Sequence, residues 1–351
     1  MPLLARMVAC PLAVDVRRGA VADLHGLLSD QRISAGGDVA VAVGPGQGEQ
    51  IAQALGATLR NAEVFRVEGG TLDAAQGLAE QLRRGTYDAV VGVGGGKTID
   101  VAKYAGSLTG LPMVSVATSL AHDGLASPVA SLTHAGRKGS YGVQIPIAVV
   151  VDLEYVASAP AEQLRSGVGD ALSNLSALAD WELAERERGE RVDGLAAALA
   201  RSGAESLLHL DGNVHDDDFL TTLAQALILG GLAMAVAGSS RPCSGADHEI
   251  AHAMDALHPN CANHGQQVAM GALFASFLRD DPALGVLDAS LRRHRIARVP
   301  GDIGLTAEQF AEVVARAPST RPERYTILEH LDMDGPEIRR RVDAFVTTFD
   351  R

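Results

Sequence analysis

Between Asp38 and Asp152 the chain alternates short apolar runs with segments of helical periodicity. The runs 38–44, 62–67, 88–94, 111–118 and 145–152 are rich in Val and carry few polar residues, which predicts strands buried on both faces. The stretches 47–60, 72–84 and 97–110 repeat apolar residues three and four apart, which predicts helices between those strands. That alternation makes a parallel sheet with helices on both faces. Beyond Val156 the strand signal stops. Ala- and Leu-rich helical patterns follow, separated by charged breaks such as DWELAERERGERVDG (180–194) and DGNVHDDDF (211–219). The predicted fold is α/β plus all-α: an α/β domain over residues 1–155, then an all-helical domain over 156–351, with a small-molecule site expected at the junction.

Composition narrows the function more than the fold. Of 351 residues, 47% are hydrophobic and 21% charged, an ordinary globular mix. The net charge of −13, with no run of Lys or Arg, argues against nucleic acid and anionic membranes as partners. Cys10, Cys243 and Cys261 are too few and scattered for a disulfide framework, which suits a reducing cytoplasm. The N-terminal stretch is interrupted by Arg6 and Asp15 and reads as mature protein rather than a signal peptide. The most apolar run, Leu223–Gly238, reads as too short to cross a bilayer and as a close-packed core helix, so no membrane span is predicted. The acidic cluster Asp216–Asp218 reads as a solvated helix start.

Two motifs carry chemistry. AVVGVGGGKTID (89–100) runs from a strand through Gly94, Gly95 and Gly96 into a helix. It approaches a P-loop, but the first required glycine falls on Val91, so a Walker A site is rejected. Glycines that let backbone amides approach a phosphate at a helix N-terminus still predict a diphosphate-bearing cofactor. GPGQG (44–48), after the first strand, is a weaker second loop.

The other motif is DHEIAHAMDALH (247–258), an H-E-x-x-H in which His248 and His252 share one helix face. A metalloprotease reading fails, because Asp255 stands where the sharp turn before a third histidine, here His258, requires glycine. Asp170, in SGVGDALSNLSALADW (166–181), and His264, at a helix start, join His248 as one carboxylate and two imidazoles, a metal-ligand set with open positions.

The segments GGGKTID, TSLAHDGLASPVAS, GVGDALSNLSALADW, SGADHEIAHAMD, HGQQVAMG and RPERYTILEHL, in order from about residue 85 to 330, resemble the sn-glycerol-1-phosphate dehydrogenases, within the iron-containing alcohol dehydrogenase and dehydroquinate synthase superfamily. The resemblance implies a Rossmann-like domain before a helical one, NAD or NADP as cofactor, and one divalent metal, with zinc expected ahead of iron or nickel. It implies Asp170, His248 and His264 as metal ligands, Asp170 lying also near substrate. Gly95, Gly96, Lys97, Thr98, Asp100, Thr118, Ser119 and Ser127 would line the cofactor site, with Gly94 in the same loop, and Asp123 and His252 would face substrate hydroxyls. The reaction implied is reversible reduction of a small phosphorylated ketone, dihydroxyacetone phosphate, to sn-glycerol 1-phosphate, by a homo-oligomer of two or more chains.

One position departs from the family: His264-Gly265-Gln266-Gln267 stands where H-G-E-Q is common, a lost carboxylate expected to alter the surroundings of the metal. Two alternatives belong to the same superfamily or chemistry. One is a cyclase of the dehydroquinate or inosose synthase type, disfavoured because such enzymes resemble a Glu-bearing motif where Asp170 stands; the other is reduction of a different small polyol or ketone. His122 and His134 read as loop histidines bonded to backbone, Cys243 and Cys261 as buried thiols, and Glu249 as a surface group or a neighbour of the ligands. Arg137 and Lys138 read either as a phosphate anchor or a hairpin tip; Arg321, Arg324 and Tyr325 as either closing a cleft or bracing the helical domain.

Overall fold

The computed structural model describes residues 8–56 and 61–350, so the predicted helix end at 57–60 lies outside the described residues, as do positions 1–7. The chain forms two compact units: Met1–Pro160 with His215–Ala224, and Ala161–Val214 with Gln225–Arg351.

The first unit contains strands β1 (Ala13–Arg17), β2 (Asp38–Val43), β3 (Ala62–Arg66), β4 (Tyr87–Gly94), β5 (Met113–Ala117), β6 (Val129–His134), β7 (Arg137–Gly142) and β8 (Ala148–Asp152). Its helices are α1 (Leu24–Leu28), α2 (Gln47–Gly56), α3 (Leu72–Leu82), α4 (Gly96–Thr109) and α5 (Leu153–Val156). Six strands pair in parallel in the order β1-β8-β5-β4-β2-β3. The inner strands are buried along nearly their whole length, as their unbroken apolar runs require. β1, which the sequence reading did not resolve, is an edge strand: Val14 and Arg17 are exposed and the other three residues only partly buried, so it lacks the continuous run that marks its neighbours. β6 and β7 form a separate antiparallel hairpin, and Arg137 and Lys138 are exposed near its tip, in line with the hairpin-tip reading of those two residues.

The order of strands locates the ligand-binding edge. From β2 the chain adds β3 on one side, then crosses to place β4 on the other. At such a reversal the loops leaving adjacent strands diverge and open a crevice beyond their carboxyl ends. The loops leaving β2 and β4 are Gly44–Gly48 and Gly94–Lys97.

The second unit is built on α6 (Ala161–Arg188), with α7 (Gly194–Leu208), α8 (Asp217–Ala237, which begins in the first unit), α9 (Ala246–Leu257), α10 (His264–Leu278), α11 (Leu284–Arg293), α12 (Ala307–Arg316), α13 (Ile327–Leu331) and α14 (Gly335–Phe349). Asp170 therefore lies inside α6 rather than at its start. The charged stretch after Asp180 also stays helical, until Gly189 at φ +71 ends it, with Arg186 and Arg188 beside the carbonyl end. α8 starts at Asp217, within the acidic cluster read as a helix start. Its 21 residues are long and apolar enough to match a membrane span, but 61% of its most apolar window is buried within the protein, as a core helix requires. Phe274, Phe310 and Phe345 join α10, α12 and α14 through edge-on and stacked ring contacts.

Three glycines set how closely the central helices approach. A Cβ on Gly265 of α10 would land on the Ser166 backbone of α6, and one on Gly169 of α6 would strike the Gly265 carbonyl. A Cβ on Gly271 would lie 2.8 Å from the Asp247 carbonyl of α9. Only hydrogen fits at these crossings, so α6 and α10 meet backbone to backbone, with Gly265 N–H donating to Ser166 Oγ at 3.0 Å.

Candidate active site

The crossing of α6 and α10 explains the first feature of the site. Asp170 follows Gly169 and His264 precedes Gly265, so the contact that fixes the helices also brings these side chains together. His264 Nε2 lies 3.5 Å from Asp170 Oδ1. Gly271 holds α9 against α10, and the His248 ring comes to 5.1 Å from that of His264. Donor atoms of Asp170, His248 and His264 all lie within 4.8 Å of one another. His252 stands one turn further along α9, its ring 6.3 Å from His248 and perpendicular to it. His258 ends α9 outside this donor group.

The chemistry of the donors fits a divalent ion. Asp170 is only 4% exposed, and a carboxylate that buried requires a positive partner. His248 Nδ1 bonds the Asp247 carboxylate, which assigns the proton to Nδ1 and leaves Nε2 as the free electron pair. Asp247, fully buried, is itself fixed by Gly245 N–H at 2.9 Å. Sequence reasoning missed this carboxylate, although an acid directly before a ligating histidine is the available signal. Gln266, the departure from the family pattern, accepts from Ala297 N–H at 2.5 Å through its side-chain oxygen. A glutamate could accept there equally, so the amide keeps that anchor while removing a charge.

Of the two readings of Glu249, the surface one is overturned: it is fully buried, with Thr326 Oγ1 donating to it at 3.1 Å. Burial, reinforced by Glu329 and Asp180, pushes its carboxyl up to about 9. Cys243 is buried, with its thiol on the Gly230 carbonyl, whereas Cys261 is only partly buried and accepts from Gln267.

In the first unit the glycine loop leaves β4 at the strand reversal. α4 is capped by Gly95 with no side chain, so the positive end of the helix is left for solvent or a ligand. Gly94, at φ +157, leaves room for Thr98, whose hydroxyl also fills the space beside Gly44. The loops after β2 and β4 are therefore packed together, and Thr118 N–H ties the loop after β5 to the Gly94 carbonyl at 3.0 Å. Gly95 and Gly96 are partly exposed, Lys97 is exposed and Ser119 partly so. This is a backbone-lined cradle suited to a diphosphate.

Two expected cofactor residues turn inward instead. Asp100, 3% exposed, pairs with Lys103 at 2.9 Å and accepts from Ser131 N–H at 3.1 Å, and Ser127 Oγ donates to the Val129 carbonyl at 3.2 Å. Lys103 is wholly buried and also donates to the carbonyls of Gly124, Ser127 and Val129. A buried ammonium needs that set of acceptors, so Asp100 and Ser127 shape the 122–131 loop from within. His122 lies against Gly96, accepts from Gly124 N–H at Nδ1, and is kept neutral by burial, which lowers its pKa. Asp123, next in that loop, is partly buried in the first unit, whereas Asp170, His248, His252 and His264 belong to the second. His134 is exposed on the hairpin.

Residues 15–160 match the family model for iron-containing alcohol dehydrogenase. The fold agrees: glycerol dehydrogenase from Schizosaccharomyces pombe superposes with a TM-score of 0.77 at 20% identity, covering 99% of this chain and 91% of its own. An iron-containing alcohol dehydrogenase from Corynebacterium glutamicum gives 0.75 at 21% identity, covering 98% and 97%. The fold is thus the one these dehydrogenase structures share. By sequence, the chain is 36% identical over 268 residues to glycerol-1-phosphate dehydrogenase [NAD(P)+] of Staphylothermus marinus, spanning 76% of each. It is 38% identical over 275 residues to that of Archaeoglobus fulgidus, spanning 76% of this chain and 78% of the relative. The chain belongs to the glycerol-1-phosphate dehydrogenase family.

Proposed function

We propose that this chain is an NAD(P)-dependent dehydrogenase that reversibly reduces dihydroxyacetone phosphate to sn-glycerol 1-phosphate. The observation that carries the reading is the convergence of Asp170, His248 and His264, three residues far apart in sequence, in a chain of this family. Asp170, His248 and His264 would hold one divalent ion, zinc by preference, and the glycine loop would hold the dinucleotide; when bound, these supply a Lewis acid and a hydride donor.

The chain's own residues do the rest. Asp247 holds the His248 ring in the tautomer that offers Nε2. The uncapped end of α4 and the Gly94–Gly96 backbone bind negative charge without a competing side chain. His252, one turn along α9 from His248, is the group of the second unit that would move a proton at the substrate hydroxyl. Dehydrogenase names among the relatives favour net reduction over the cyclase alternative.

The test is turnover of phosphorylated and unphosphorylated ketones with NADH and NADPH, alongside metal analysis of the purified protein. Oxidation of the reduced cofactor with dihydroxyacetone phosphate, in protein carrying one divalent ion per chain, is the expected result. A metal-free protein indifferent to both cofactors would overturn the proposal.

A further inference from the structure

The segment before α9 and the turn at 321–325 bring three arginines of the second unit together. Arg241 is committed: it grips the Glu190 carboxylate, with Nε at 2.6 Å, and donates to the Tyr325 carbonyl at 3.0 Å. Arg321 and Arg324 differ. Arg321 donates to Ser244 Oγ at 2.6 Å and Ser240 Oγ at 3.4 Å. Arg324 donates to the Ser244 carbonyl at 2.5 Å and Ser240 Oγ at 3.1 Å. Among the described residues neither guanidinium has a carboxylate within 4.0 Å.

Two half-buried guanidinium groups are therefore held side by side with only neutral acceptors. The carboxylates that attract them, Asp247, Glu249 and Glu323, all lie beyond 4.0 Å. Burial lowers the pKa of both, and the like charges of Arg321 and Arg241 take Arg324 to about 10. Bracing a loop does not require this: a neutral donor would hold two serines without a desolvated charge. An anion relieves it. Each arginine has five N–H donors, and both remain partly exposed, so unused donors are within reach of a ligand. Ser240 Oγ accepts from both arginines, so its own hydrogen is available to a further acceptor, while the buried Ser244 anchors the pair. Ser244 is four residues before His248, and the carboxylate that attracts Arg321 most is Asp247, the one that holds the His248 ring. The arginines thus stand at the end of α9 that carries the proposed metal ligand.

We propose that Arg321 and Arg324, with the Ser240 hydroxyl, form an anion site that takes the phosphate group of the substrate. Paired guanidinium forks match the oxygens of a phosphate, and one dianion would balance both charges. Naming that phosphate as the substrate's rests on the reductase reading; the existence of an anion site does not.

The first test is therefore thermal unfolding of the full chain titrated with inorganic phosphate. The midpoint rises saturably in the wild type, the rise disappears in Arg321→Met and Arg324→Met, and part of it returns in Arg324→Lys, which also serves if the Met variants fail to fold. No saturable rise in the wild type, or an undiminished rise in Arg324→Met, overturns the site. The second test is kinetic. In Arg324→Met, kcat/KM for dihydroxyacetone phosphate falls roughly tenfold to a hundredfold, the range expected for a lost charged hydrogen bond, and the loss for unphosphorylated dihydroxyacetone is several-fold smaller. Equal losses for both ketones would mean bracing alone. Wild-type protein that binds phosphate through these arginines yet reduces neither ketone would refute the reductase reading and leave the anion site standing.

Discussion

At the start of α4 the first unit offers a ligand backbone amides and the absence of side chains, whereas the second unit offers a carboxylate and two imidazoles carried by three helices. The difference extends to their buried charges. In the first unit Lys103 is matched by Asp100 and three carbonyls, and its role is to shape a loop. In the second, Asp170 lies beside two imidazoles, and Arg321 and Arg324 have no carboxylate within 4.0 Å, so charged groups are placed where a ligand can meet them. Glycine serves both units in different ways: at Gly95 it leaves a helix end uncovered, and at Gly169, Gly265 and Gly271 it lets helices approach until distant side chains meet.

The contrast predicts a hierarchy of effects. Gly265→Ala forces a methyl group onto the Ser166 backbone and is expected to cost more than about 3 kcal/mol, while Gly95→Ala, with nothing within 4 Å of the new atom, is expected to stay within about 1 kcal/mol. Urea unfolding compares the two, and equal stabilities would remove the helix crossing from the account. His264→Ala is expected to abolish metal retention and reduce turnover on the order of a thousandfold, with the helical circular dichroism unchanged. Metal retained at wild-type level in that variant would detach the cluster from metal binding. Asp247→Asn should weaken metal affinity about tenfold to a hundredfold by loosening the His248 ring, as competition with a chelator would measure.

The last prediction concerns pH. Glu249 ionises near 4.5 in the unfolded chain and at about 9 in the fold. Between those values the folded state holds a proton that the unfolded state has released, so this stabilising contribution is complete below pH 4.5 and is lost as the pH rises through 9. Glu249→Gln cannot ionise, so its stability should decline less steeply across that interval in metal-free protein. Parallel curves for variant and wild type would contradict the buried, neutral acid.

The parts of this account legible in the sequence are those that depend on near neighbours. Uninterrupted Val runs announce strands buried on both faces, and glycines between a strand and a helix announce a backbone cradle. Even the three proposed metal ligands can be picked out, because each sits in a short motif. The half-exposed edge strand β1 escapes for the complementary reason: its periodicity is too weak to separate it from a loop. Asp100 shows a further limit, since its motif points to the cofactor while its carboxylate serves a buried lysine that no motif reveals.

The sequence by itself determined that residues 38–152 would form a parallel sheet with helices, that helices would follow, and that the chain carried a glycine loop and an Asp/His/His set. Tertiary structure alone decided that Asp170, His248 and His264 converge, that Asp247 orients one of them, that Glu249 is buried, and that Arg321 and Arg324 lie together with no carboxylate within 4.0 Å. The physical reason is range. Periodicity records which face of an element is buried, whereas these sites depend on where helices distant in sequence cross, and on charges whose cost or stabilisation exists only once water has been excluded.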